Sequence, residues 1–123
     1  MVEKVKLAYI AGPYRGKTKE ECDLNVQSAK QIAKLVANKG WMPVTPHLNT
    51  HGFEFLCPHL PDQFWLDGTL ELMRKCDIVV LCPGWEFSSG TKSEILEAAR
   101  SCIPVYYELK DIPVLEGLKT YVR

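Results

Sequence analysis

Apolar and polar positions fall into short blocks along this chain, and each block has a recognisable period. Val5 to Ala11 is an apolar, partly β-branched run closed by Gly12-Pro13, which predicts a buried strand ending in a tight loop. From Asn25 onward, Val26, Ala29, Ile32, Ala33, Val36 and Ala37 recur three and four residues apart, so an amphipathic helix is expected, stopped by Gly40. Trp41 to Thr45 reads as a second strand. A loop rich in His, Pro and Asn follows from Pro46 to Pro61, long enough to suggest a segment that covers a site. Leu66, Leu70, Leu72 and Met73 mark the next helix, and Cys76-Asp77 introduces a third strand, Ile78 to Cys82. Ser88-Ser89-Gly90-Thr91 offers capping hydroxyls before Ile95, Leu96, Ala98 and Ala99, which sit at helical spacing. Ile103 to Tyr107 reads as strand four, and Val114 to Tyr121 as a closing helix.

Strands that alternate with helices and are apolar on both faces require a parallel sheet covered on two sides. The expected class is therefore α/β: a Rossmann-like (flavodoxin-like) three-layer sandwich with a four- to five-stranded parallel sheet in the order 2-1-3-4(-5). A length of 123 residues suits one domain spanning 1–123. In such sheets the ligand crevice opens beyond the strand ends where the winding reverses, here the loops after Ala11 and after Cys82.

Composition narrows the partners. Fifteen Lys and Arg balance fifteen Asp and Glu, so no net positive field exists to attract a nucleic acid polymer or an anionic membrane, and any phosphate recognition must be local. The longest apolar run is too short to span a bilayer. Five cysteines without a CxxC pair, and no leader-like stretch at Met1-Val2-Glu3-Lys4, predict reduced thiols and a cytoplasmic location.

The two crevice loops carry the candidate chemistry. Gly12-Pro13-Tyr14-Arg15-Gly16 combines a glycine that permits close backbone approach with a forked cation suited to phosphate or carboxylate; the plainer reading is a turn with a solvated arginine. Neither GxxxxGK[ST] nor GxGxxG occurs, which excludes the usual nucleoside-triphosphate and dinucleotide loops. After strand three, the chain runs through Pro83-Gly84-Trp85-Glu86-Phe87-Ser88 into a helix whose positive end could hold an anion. Glu94 falls near that crevice, where a carboxylate can act as nucleophile or stabilise a developing cation; alternatively it closes a capping box with Thr91. Trp85 either stacks on a base or packs inside. Asp67, expected near the start of its helix on the same rim, is the candidate second carboxylate, or else an N-cap. Asp77 lies at the wrong end of the sheet and suits a turn or cap. His47, His51, Cys57 and His59 fall within thirteen residues, but the interrupting Pro46, Asn49, Gly52, Pro58 and Pro61 break the helix that would align them. No metal is expected, and His47 is the histidine best placed to reach the crevice.

Taken together, YIAGPYRG from Tyr9 to Gly16, PVTPHL from Pro43 to Leu48, and CDIVVLCPGWEFSSGTKSE from Cys76 to Glu94 resemble the nucleoside 2-deoxyribosyltransferase-like superfamily. Within it the chain is most similar to small proteins of the DUF4406 type, and more remotely to the 2'-deoxynucleoside 5'-phosphate N-hydrolases and the CMP N-glycosidases. The resemblance implies that Glu94 is the catalytic glutamate acting at the anomeric carbon and that Tyr9 orients it. It further implies that Gly12, Arg15 and Ser88 face a 5'-phosphate, that Gly90 is the family's small residue, and that His47 lies near base or sugar. Three positions depart from the hydrolases. Pro13 replaces a serine and removes a hydroxyl and an N–H from the phosphate cradle, Thr69 stands where they carry an aspartate with Asp67 two residues earlier, and Lys92 replaces a glycine.

The function expected is hydrolysis or transfer of the N-glycosidic bond of a nucleoside 5'-monophosphate or (deoxy)nucleoside through Glu94, with Asp67 as second carboxyl, Trp85 among the substrate contacts, no cofactor, and a homodimer or larger homo-oligomer. The alternative is a nucleotide-binding sensor or interaction module that uses the same crevice without turnover.

Overall fold

The computed structural model describes residues 4–117 and has β1 (Leu7–Ala11), α1 (Lys19–Ala37), β2 (Met42–Val44), α2 (Pro46–Asn49), α3 (Phe53–Leu56), α4 (Asp62–Arg74), β3 (Ile78–Leu81), α5 (Ser89–Arg100) and β4 (Val105–Tyr106) in chain order. All strand pairs are parallel and the order is β2-β1-β3-β4. Alternation along the central strands divides the core. Ala8 and Ile10 of β1, with Ile78 and Val80 of β3, face Ala29, Ala33 and Val36 of α1. Tyr9 and Ala11, with Val79 and Leu81, face Met73 of α4 and Ala98 of α5. The result is the three-layer α/β arrangement that the two-sided apolar strands require.

Boundaries differ from the pattern where the local signal is polar. Helix α1 starts at Lys19, well before Asn25, because Thr18 caps it by accepting from the Glu21 N–H at 3.1 Å; its first turn has no apolar stripe to reveal it. The Pro46–Pro61 stretch is not an uninterrupted loop. Pro46 opens α2 at a position where a missing N–H costs nothing, and Pro61 occupies the cap position of α4, so these prolines mark helix starts and not breaks. The strands are shorter than the apolar runs. No fifth strand is present among the described residues, Val114 and Leu115 are irregular, and the closing helix expected to Tyr121 runs outside the described residues. Among the described residues, no helix is long and apolar enough to cross a membrane.

Two contacts set the frame for the site. Ala11 pairs with Leu81 at the top of the sheet, and the Cys82 N–H donates to the Ala11 carbonyl at 2.8 Å, so the loops after β1 and β3 leave side by side. Gly12 is required there: a Cβ at this position would lie 2.5 Å from the Cys82 Cβ. At the opposite end, Asp77 accepts from the Leu7 N–H at 2.7 Å and anchors the start of β1, which accounts for its place below the sheet.

Candidate active site

The two loops, α2, α3, and the starts of α4 and α5 enclose a cleft of about 480 Å³, well within the range of small-molecule sites. Tyr9, Gly12, Arg15, His47, Ser88, Gly90 and Glu94 all line it. Asp67 and Trp85 do not.

Glu94 lies in the second turn of α5 and is buried, and its carboxylate accepts a hydrogen bond from the Tyr9 hydroxyl, which rises from β1 beneath it. The cap of α5 is Ser88, whose Oγ accepts from the Thr91 N–H at 3.1 Å and from the Thr91 hydroxyl at 2.9 Å, so the Thr91–Glu94 capping box is not formed. Burial raises the Glu94 pKa to about 7, with the Tyr9 hydrogen bond pulling it down in part. Tyr9 is driven well above its ordinary range by burial and then by the Glu94 charge, so the phenol stays protonated and remains the donor. Thr69 from α4 lies beside the Tyr9 phenol, and its hydroxyl donates to the Leu66 carbonyl at 3.0 Å. Cys82 nearby is pushed up by burial and by Glu94, so it stays a thiol and does not compete as nucleophile.

The β1 loop is held from the other side. His47 Nε2 lies 3.1 Å from the Gly12 carbonyl and 3.0 Å from that of Pro13; since carbonyls only accept, the proton resides on Nε2. Burial lowers the His47 pKa against the pull of those two carbonyls, so the neutral ring braces the loop and its buried Nδ1 is an acceptor without a protein partner. Tyr14 continues the brace: its hydroxyl donates to Glu54 at 3.0 Å and accepts from the Gly52 N–H at 2.9 Å. Arg15 reaches the mouth of the cleft and pairs with Asp62 at 3.0 Å. A Cβ on Gly90 would meet only the Ser88 Oγ at 4.0 Å, so open space at the cleft, and not packing, is what this glycine leaves.

Two expectations are corrected. Helix α4 begins at Asp62, which puts Asp67 in mid-helix and not at its start; Asp67 is exposed and accepts from Gln63 at 2.7 Å. Asp62, Gln63, Trp65, Leu66 and Thr69 of α4 line the cleft, and at 100° per residue Asp67 falls outside that arc. Trp85 is half-buried and packs against the core, with its ring 5.3 Å from that of Tyr107 in a T-shaped contact. Gly84, at φ 86°, turns the chain there; Trp85 goes inward and Phe87, 91% exposed, goes out to the cleft rim. Sequence reasoning missed Tyr14, Glu54, Asp62, Trp65, Thr69 and Phe87 as cleft residues. The i, i+3, i+4, i+7 spacing of Asp62, Trp65, Leu66 and Thr69 was the signal available for three of them.

The histidines of the Pro46–Pro61 segment part company. His47 braces the β1 loop, whereas His51 lies 3.5 Å from Asp23 of α1. Among the described residues no three His, Cys, Asp or Glu side chains converge in a way that could hold a metal ion.

No curated protein matches the chain. Residues 6–108, which run from the start of the sheet through its last strand, match the family described as a domain of unknown function, DUF7768. A match over that much of the chain takes in both crevice loops, Tyr9 and Glu94 together, and this protein therefore belongs to the DUF7768 family.

Proposed function

We propose that this protein cleaves, or exchanges, the N-glycosidic bond of a nucleoside or nucleoside 5'-monophosphate. The observation that carries the reading is Glu94: a buried carboxyl, oriented by Tyr9 at the base of a sugar-sized cleft, with Arg15 and the N-terminal end of α5 at the same opening. Its ionised form attacks the anomeric carbon, or stabilises the oxocarbenium-like centre, as the base departs; water or a second base then takes the sugar. Orientation by Tyr9 matters because a carboxylate free to rotate would lose the in-line approach. The resemblance of the Tyr9–Gly16 and Cys76–Glu94 segments to the nucleoside 2-deoxyribosyltransferase-like superfamily points the same way. The chemistry calls for no metal or organic cofactor.

Incubation with a panel of nucleosides, deoxynucleosides and their monophosphates, followed by chromatography for free base, tests this. Release by wild type and a loss of about a hundredfold or more in Glu94→Ala is expected. Background signal from both proteins would instead favour a binding module without turnover. That second reading draws on Asp67, which faces away from the cleft and leaves Thr69 in the place where the hydrolases carry an aspartate.

The reading includes a reducing, cytoplasmic setting, in line with five free cysteines, and a homodimer or larger assembly, in line with the exposed Phe55, Leu56 and Phe87. A monomer by light scattering at micromolar concentration would refute the assembly.

A further inference from the structure

The charges around the cleft do not match a phosphate dianion. Among the described residues that line it, Arg15 is the cationic side chain, whereas Glu94, Glu54 and Asp62 are carboxyls. Arg15 is already engaged by Asp62 at 3.0 Å. The other lysines close to the β1 loop, Lys17 and Lys19, line an adjoining recess beyond Tyr14, and Lys19 is paired with Asp23 at 3.1 Å. Pro13 offers no N–H to an anion, and the carbonyls of Gly12 and Pro13 are turned to His47, so this part of the loop supplies one donor fewer to an anion. The Ser88 Oγ accepts two bonds from Thr91, which leaves the hydroxyl proton and the first N–H groups of α5 as the neutral donors on that side. A ligand that carries two negative charges into this opening must sit beside the Asp62 carboxylate that already partners Arg15.

We infer that Asp62 is a specificity-determining residue: by occupying Arg15 and holding a carboxylate at the cleft mouth, it makes the site select an uncharged nucleoside over the corresponding 5'-monophosphate. This rests on the glycosidic reading for the class of ligand and narrows it. What remains for a nucleoside is suited to neutral groups. The His47 Nδ1 accepts, the Trp65 indole N–H donates, and both are buried without a protein partner in residues that line the cleft. Unpaired buried polar atoms are costly in a folded protein, and two of them at one cleft are what a hydroxyl- and carbonyl-bearing ligand would satisfy.

The test compares affinities and base release for the common deoxynucleosides, their 5'-monophosphates and their neutral 5'-O-methyl ethers, in wild type, Asp62→Asn and Asp62→Ser. Asp62 is an exposed first-turn residue, so both variants should fold, and circular dichroism confirms it. Wild type is expected to prefer the nucleoside and to accept the ether. Both variants should shift the monophosphate-to-nucleoside ratio towards the monophosphate by about three- to tenfold, the scale for removing one partly exposed charge. A wild-type preference for monophosphates, or an unchanged ratio in both variants, overturns the assignment while leaving the glycosidic reading intact. Rejection of the ether as strong as that of the phosphate overturns it too, since size and not charge would then exclude. If no nucleoside or nucleotide binds or is cleaved, the glycosidic reading fails and Asp62 loses this role with it.

Discussion

Replacing Glu94 with glutamine keeps the shape of the side chain and an acceptor for Tyr9 while removing the proton that the carboxyl gains and loses. In the folded protein the Glu94 pKa lies at about 7, whereas the free side chain titrates near 4.5, because burial disfavours the charge more than Tyr9 relieves it. The sign follows from linkage. Below about pH 4.5 both folded and unfolded states hold the proton and the group contributes no pH dependence; as pH rises towards 7 the unfolded chain releases it while the fold retains it, so wild-type stability falls; above 7 both states are ionised and the loss levels off. At about 1.4 kcal/mol per pH unit, that interval corresponds to ~3 kcal/mol, an upper figure for a carboxyl this deeply buried. Glutamine has no such interval. Tyr9 and Cys82, the groups that the Glu94 charge shifts, titrate above this interval, so the difference between the two unfolding free energies isolates position 94. Urea unfolding followed by circular dichroism at a series of pH values should show Glu94→Gln gaining on wild type by ~2–3 kcal/mol between about pH 4.5 and pH 7.5, then running parallel. Curves that stay parallel throughout would mean that Glu94 is not a buried carboxyl with a raised pKa, and the case for its reactivity would fall with it.

Tyr9→Phe removes the bond that favours the ionised carboxyl, so the acid limb of the base-release profile should move upward by roughly one pH unit or more, with activity recovered in alkali; an unmoved limb would show that Tyr9 does not tune Glu94. Arg15→Ala should weaken binding of a 5'-monophosphate by about tenfold while barely changing the nucleoside, and an equal loss for both, measured by calorimetry, would remove the arginine from any phosphate contact. Gly12→Ala drives a methyl into Cys82 and should cost ~1–3 kcal/mol in thermal or urea unfolding, through separation of β1 and β3.

Much of this protein was legible as one-dimensional pattern. The apolar runs at Val5–Ala11 and Ile78–Cys82 have side chains suited to burial on both faces, a pattern that calls for a parallel sheet covered on two sides. Alternation of strand and helix, together with the winding rule, then gives the order β2-β1-β3-β4 and directs attention to the loops after Ala11 and Cys82. What these signals lack is phase. Asp67 and Thr69 are two residues apart on one helix, and only the position of α4 against β1 decides that Thr69 meets Tyr9 while Asp67 faces solvent.

The same limit governs Trp85 and Phe87. Both are aromatic, both lie in one short turn, and after the left-handed Gly84 one packs against the core and the other stands at the rim. Residue type and spacing therefore determined the sheet, its winding and the two loops at its carboxyl edge, since these follow from local period and burial demand. The tertiary structure decided which carboxyls share the cleft, that Glu94 is desolvated beside Tyr9, and that Arg15 meets Asp62. Those outcomes depend on distances between elements remote in sequence and on the dielectric they create, and neither quantity exists until the layers have packed.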